Sequence, residues 1–180
     1  MQLHAFTASL LHRPRHFTAS PIPASSGIIP IVFGTTTTTL SNVFSNAQAE
    51  ARRRNQDFVG TEDLAMSLLD LENSESARLL AQLHVESGYV RNVLSHTLPS
   101  GKEPPIVTGD LPISPRAQRL ISNAVVAARN SGAEKVSTRH LLTALLDEAQ
   151  GVVCESFRRA GADSSELVKA MENKEVSAET

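Results

Sequence analysis

Residues 45–52 read SNAQAEAR, and residues 122–129 read SNAVVAAR. The two octapeptides lie 122 − 45 = 77 residues apart, and the register extends from them in both directions without a gap. Ala51-Arg52 falls on Ala128-Arg129. Downstream, Val59, Thr61, Leu64, Leu68, Leu69 and Asp70 fall on Val136, Thr138, Leu141, Leu145, Leu146 and Asp147. A single unit is written twice.

Each copy carries a helical pattern. Leu40, Val43, Phe44, Ala47 and Ala51 recur at three- and four-residue steps, and Ala117, Leu120, Ile121, Ala124 and Ala128 repeat that stripe one offset later. Ser114 followed by Pro115 marks a helix start, with the proline where a missing N–H costs nothing. Thr61 and Thr138 are expected to cap second helices behind Val59 and Val136. Third helices are expected to bury Ala77, Leu80 and Leu83, or Cys154, Phe157 and Ala160. Fourth helices would carry Val90 and Leu94, or Leu167 and Met171, capped by Ser87 and by Asp163 or Ser164. The fold class is therefore all-α, with four helices in each repeat and about eight in total. The expected boundaries are 1–39 for a leader, 40–98 for the first repeat, 99–113 for a Pro/Gly-rich linker that cannot continue a helix, 114–173 for the second repeat and 174–180 for a flexible tail.

Composition narrows the function. The chain has 180 residues and a formal net charge of −2, with no basic block beyond Arg52-Arg53-Arg54. Nothing here attracts a polyanion, and with no Trp and one Tyr the chain lacks platforms for base stacking. Nucleic acid is not expected as a partner. The one cysteine, Cys154, sits at the repeat position of Ala77 and reads as a small core residue rather than a nucleophile. The six histidines are dispersed, form no metal-ligand pattern and are expected on the surface; no metal or cofactor is expected. No acidic residue precedes Glu50, and the leader is rich in Ser, Thr and Pro. That composition suits an organelle transit peptide, and equally a disordered leader or a misassigned start. The apolar run IIPIVF (residues 28–33) is too short to span a bilayer, so a soluble intracellular protein is expected, in the cytoplasm or, with a transit peptide, the plastid stroma.

The stretches AQAEARRRNQDFVGTEDLAMSLL (47–69), SPRAQRLISNAVVAARNSGAEKVSTRHLLTALLDE (114–148) and FRRAGAD (157–163) resemble the paired repeats of the Clp N-terminal domain, the substrate- and adaptor-receiving domain of ClpA- and ClpC-type unfoldases. The resemblance implies two four-helix bundles related by pseudo-symmetry. Those unfoldases continue into ATPase modules, whereas this chain has no G-x-x-x-x-G-K-[ST] phosphate loop. It is therefore expected to be a stand-alone, non-enzymatic accessory protein, similar to plastid forms that associate with the proteolytic core. The implied partners are a Clp unfoldase or protease core and client proteins. The alternative is an independent binder of modified or unfolded peptides that makes no Clp contact. The resemblance also implies pockets for phosphorylated arginine, built from a hydroxyl at the start of each repeat's first helix and an acid after the Thr of the second. Carried over, these are Thr37 with Glu62 in the first repeat and Ser114 in the second, where Arg139 replaces the acid. One site rather than two is expected. Glu62 has a simpler reading beside this one, as a favourable acid in a first helical turn.

Overall fold

The computed structural model describes residues 36–148 and 151–178, with side chains as far as Met171. Expectations for residues 1–35 lie outside the described residues. The described chain forms eight helices: α1 (Thr38–Arg53), α2 (Thr61–Leu69), α3 (Glu75–Gln82), α4 (Ser87–Thr97), α5 (Pro115–Asn130), α6 (Thr138–Asp147), α7 (Val152–Arg159) and α8 (Ser164–Ala178). Adding 77 to the bounds of α1 and α3 reproduces those of α5 and α7, so the sequence repeat is a structural repeat. Helix α8 runs into the segment expected as a tail.

The apolar stripes become the core. Leu40, Val43, Phe44, Ala47 and Ala51 of α1 are buried, as are Ala117, Leu120, Ile121, Ala124 and Ala128 of α5. Helices α2 and α6 are the innermost: every residue of α2 except Glu62 is buried. Helix α2 packs against α1, α4, α5, α6 and α7, while α3 packs on α6 and α4 on α7. The two repeats thus share one hydrophobic core. Helix α3 buries Ser76, Leu79 and Leu80, with Ala77 only partly covered, so its inward face is turned from the expected one. Ser76 lies where α3 meets α6, and its N–H donates to Thr138 Oγ1 at 3.2 Å.

Three caps differ from expectation. The N-caps of α2 and α6 are Gly60 and Ser137, so Thr61 and Thr138 occupy the first helical position. The orphan N–H of each cap is satisfied from the third helical position: Asp63 Oδ2 accepts from Gly60 N at 2.8 Å, and His140 Nδ1 from Ser137 N at 2.9 Å. Ser87 likewise follows the α4 N-cap, Glu86. Ser114 caps α5 through Ala117 N, and Asp163 Oδ1 accepts from Ser165 N and Glu166 N ahead of the first turn of α8.

The linker is held rather than free. Gly101 N donates to Arg54 O at 2.8 Å and Asn55 Nδ2 to Gly101 O at 3.2 Å. At the far end, Gln48 makes a two-way amide pair with the Leu111 backbone at 2.8 and 3.0 Å, and Leu111 is buried. The connector lies against the second half of α1, which fixes where the second repeat begins.

Candidate functional site

The repeats exchange their leading segments. Thr36 bridges to Val136 and Ile113 to Val59, each in parallel, and these two bridges are related by the 77-residue offset. Thr37 N donates to Val136 O at 2.9 Å and Ser114 N to Val59 O at 2.9 Å. The start of each repeat's first helix is therefore stitched to the loop that opens the other repeat's second helix. Ser114 shares a junction with Glu62, and Thr37 shares one with Arg139. The sequence reading grouped Thr37 with Glu62 inside one repeat; the backbone pairs the four residues across the repeats instead. Sequence spacing carries no signal of such an exchange.

At the first junction, Ser114 Oγ accepts from Ala117 N at 3.2 Å, and Glu62 is half-buried at the second position of α2. The Glu62 carboxylate leans over Gly60, where an added Cβ would sit 2.7 Å from Oε2. Arg116 stands nearby in the first turn of α5, and its Nε donates to Glu148 Oε1 at 2.7 Å. The Glu148 hydrogen bond and charge, with a further contribution from Glu62, hold this guanidinium protonated. The junction therefore sets the Arg116–Glu148 ion pair beside the N-terminus of α5, within electrostatic reach of Glu62. Sequence reasoning gave Arg116 and Glu148 no role, since they stand 32 residues apart and nothing in their spacing pairs them.

At the second junction, Thr37 Oγ1 accepts from Leu40 N at 3.3 Å to cap α1, and Thr36 Oγ1 meets Ser41 Oγ at 3.1 Å. Arg139 does not copy Glu62. Its Nη2 reaches α8 and donates to Met171 O at 3.1 Å.

Behind each junction lies a polar pair, buried in the first repeat and partly buried in the second. Arg54 donates through Nη2 and Nε to Asp63 Oδ1 at 2.7 and 3.2 Å, with both side chains largely out of solvent. One offset later the same positions hold Ser131 and His140, joined at 3.1 Å from Oγ to Nε2. His140 is thus buried, contrary to the surface position expected for it, because it does the capping work of Asp63. Aligning the repeats position by position is the signal that would have found it. His84 and His96 are exposed.

Cys154 is buried, its Sγ donates to Glu148 O at 2.9 Å, and burial pushes the thiol pKa up. A thiol held protonated in this way is a poor nucleophile. Among the described residues no cluster of three His, Cys, Asp or Glu side chains could hold a metal, and no helix is long and apolar enough to cross a membrane.

The family model of the Clp repeat (R) N-terminal domain matches residues 35–160 and 127–178, and the chain belongs to this family. It is 28% identical over 163 residues to the chloroplastic chaperone protein ClpC1 of Oryza sativa subsp. japonica, covering 91% of this chain and 17% of that protein. The chain thus spans about a sixth of the length of that relative. The N-terminal domain of the caseinolytic protease associated chaperone ClpD from Arabidopsis thaliana superposes with a TM-score of 0.62 at 19% identity, covering 79% of this chain and 96% of that one. A ClpV N-domain solved in complex with a VipB peptide gives 0.63 at 18% identity, covering 85% and 92%. These structures share the all-α double-repeat fold.

Proposed function

We propose that this chain is a non-enzymatic accessory protein that docks on a Clp chaperone or protease and modulates client recognition or assembly. Family membership together with the repeat-exchanged junctions carries this reading. Each junction places a helix start, with its hydroxyl cap and oriented N–H groups, beside charged side chains, which suits recognition of a polypeptide. A related fold has been solved with a peptide bound, which supports a peptide-receiving role here. Chloroplastic relatives, with the acid-free leader, support a plastid stromal location. The test is co-elution of the full chain with a purified ClpC-type unfoldase and, separately, with the Clp peptidase core, alongside an ATPase assay of the chain alone. Co-elution with either and no hydrolysis agree with the proposal; co-elution with neither rejects it.

The second reading, an independent binder of arginine-phosphorylated peptides, is favoured by one observation: Ser114 and Glu62 share a junction. On that reading Ser114 and Glu62 form the productive site, while Thr37 and Arg139 form a weaker one or none. Calorimetric titration with a phosphoarginine peptide should then give one site, lost in Glu62→Ala. Two equal sites would reject the asymmetry.

A further inference from the structure

We propose that the crevice between α5, α6 and α8 is a docking groove for a polypeptide segment presenting an arginine, whose guanidinium pairs with Asp147. The proposal rests on the reading of the chain as a protein-interaction module, and it names a site away from the Ser114–Glu62 junction.

Comparison of the two repeats carries the argument. In the first repeat three ion pairs lie along the corresponding face of α1, α2 and α4: Glu50 with Arg53, Arg54 with Asp63, and Asp70 with Arg91. Adding 77 turns these six residues into Ala127 and Asn130, Ser131 and His140, Asp147 and Val168. All six line a groove of about 400 Å³ in the second repeat. Five long or charged side chains have been replaced by smaller or uncharged ones, and in the second repeat these positions border open space. A volume of this size lies within the range of natural ligand sites, roughly 300–1,000 Å³.

The charge left behind identifies the occupant. Asp147 keeps the carboxylate that its counterpart Asp70 uses to bind Arg91, but Val168 stands where the guanidinium would be. Asp147 is exposed, and among the described residues it makes no ion pair or side-chain hydrogen bond. The other charged wall residue, Arg139, donates to Met171 O and lies eight positions earlier on α6, about 12 Å along the axis. The Asp147 end of the groove is therefore acidic. Half-exposed Val126, with partly buried Val168, supplies apolar surface for an arginine stem. A planar guanidinium can pair with the Asp147 carboxylate through two parallel N–H groups, which suits arginine better than lysine. The first repeat shows the same fit made internally by Arg91.

The test uses the full chain and a capped pentapeptide of leucine and alanine around one central arginine, followed by backbone amide NMR. Saturable shifts at Val126, Thr143, Asp147 and Val168 are expected, with a weaker response to the lysine analogue. Asp147→Asn, at an exposed position, should weaken binding about three- to tenfold, as expected for losing one charge-assisted contact. Val168→Arg, which restores the first repeat's own guanidinium, should abolish binding. Shifts centred elsewhere, or an affinity unchanged in Asp147→Asn, would overturn the proposal even if Val168→Arg failed to fold. Peptide binding in the groove without Clp co-elution would reject the docking function and leave the groove standing; Clp co-elution without peptide shifts would do the reverse.

Discussion

Among the described residues, four helix ends close on a residue with positive φ, and the two repeats meet that requirement with different residues. Gly132 and Gly161 take φ of 70° and 80° after α5 and α7; at the equivalent places Asn55 and His84 take 55° and 58° after α1 and α3. In each case the following N–H reaches back to close the turn at 2.9 Å: Gln56 to Ala51, Val85 to Leu80, Ala133 to Ala128 and Ala162 to Phe157. The left-handed conformation strains any residue with a Cβ, and His84 is exposed, so His84→Gly should stabilise the fold by about 0.5–1 kcal/mol in denaturant titrations. Asn55→Gly should show no such gain, because Asn55 also holds Gly101 of the linker. A second residue-scale effect is electrostatic. Arg53 grips Glu50 through two nitrogens at 2.6 and 3.1 Å, and that hydrogen bond outweighs burial to hold the Glu50 carboxyl below its ordinary value near 4.5. A depressed carboxylate contributes stability that is present above the unfolded value and lost as pH falls through the folded one. Arg53→Gln should therefore flatten the decline in melting temperature below about pH 5, while leaving a residual slope from Asp163, which its hydrogen bonds with Ser165 and Glu166 also depress.

At the scale of the helix, α2 and α6 show how far one-dimensional patterning reaches. The stripes of α1 and α5 are legible because each helix has one wet face; α2 is buried on all sides between the repeats, so its sequence has no polar face to mark the inward one. Leu68→Ala and Leu145→Ala, each at a position only 2% exposed, should cost about 2–5 kcal/mol, and unchanged melts would remove these leucines from the core. The helix starts were misread for a related reason. Thr61 and Thr138 look like caps, but the turn is closed from the third helical position by Asp63 in one repeat and His140 in the other, side chains whose chemistry gives no common motif. The Arg54–Asp63 pair beneath α2 offers a direct test of this exchange. Arg54→Ser leaves a buried carboxylate without its guanidinium and should cost about 3–5 kcal/mol. Adding Asp63→His recreates the Ser131–His140 pair and should recover part of the loss, and simple additivity of the two changes in a double-mutant cycle would show that the pairs are not equivalent.

For the whole molecule, the duplication and the helix count are written in the sequence, whereas the exchange between repeats is not. A repeat read alone looks complete: it has four helices, caps and an apolar stripe. The structure divides these differently, since the backbone ahead of α5 pairs with Val59 of the first repeat, the backbone ahead of α1 pairs with Val136 of the second, and α3 and α4 pack against α6 and α7. The same exchange sets Ser114 beside Glu62, so the candidate junction exists only when both repeats are present. Fragments covering residues 36–98 and 114–178 should each lack a cooperative melt, because each would expose the face of α2 or α6 that the other repeat covers. Mixing the two fragments should restore helicity and a melting transition at a concentration-dependent temperature, since the missing surfaces are then supplied by the partner. A fragment that melted cooperatively alone, with near-native helicity by circular dichroism, would mean that each four-helix unit closes its own core and that the exchanged bridges only dock two finished domains. The linker adjusts the outcome: pinned by Gln48 and Asn55, it keeps the second repeat near the first and raises their effective concentration. Gln48→Ala in the intact chain should therefore lower stability without abolishing the fold, whereas cutting the chain between Lys102 and Thr108 should make the melt depend on protein concentration.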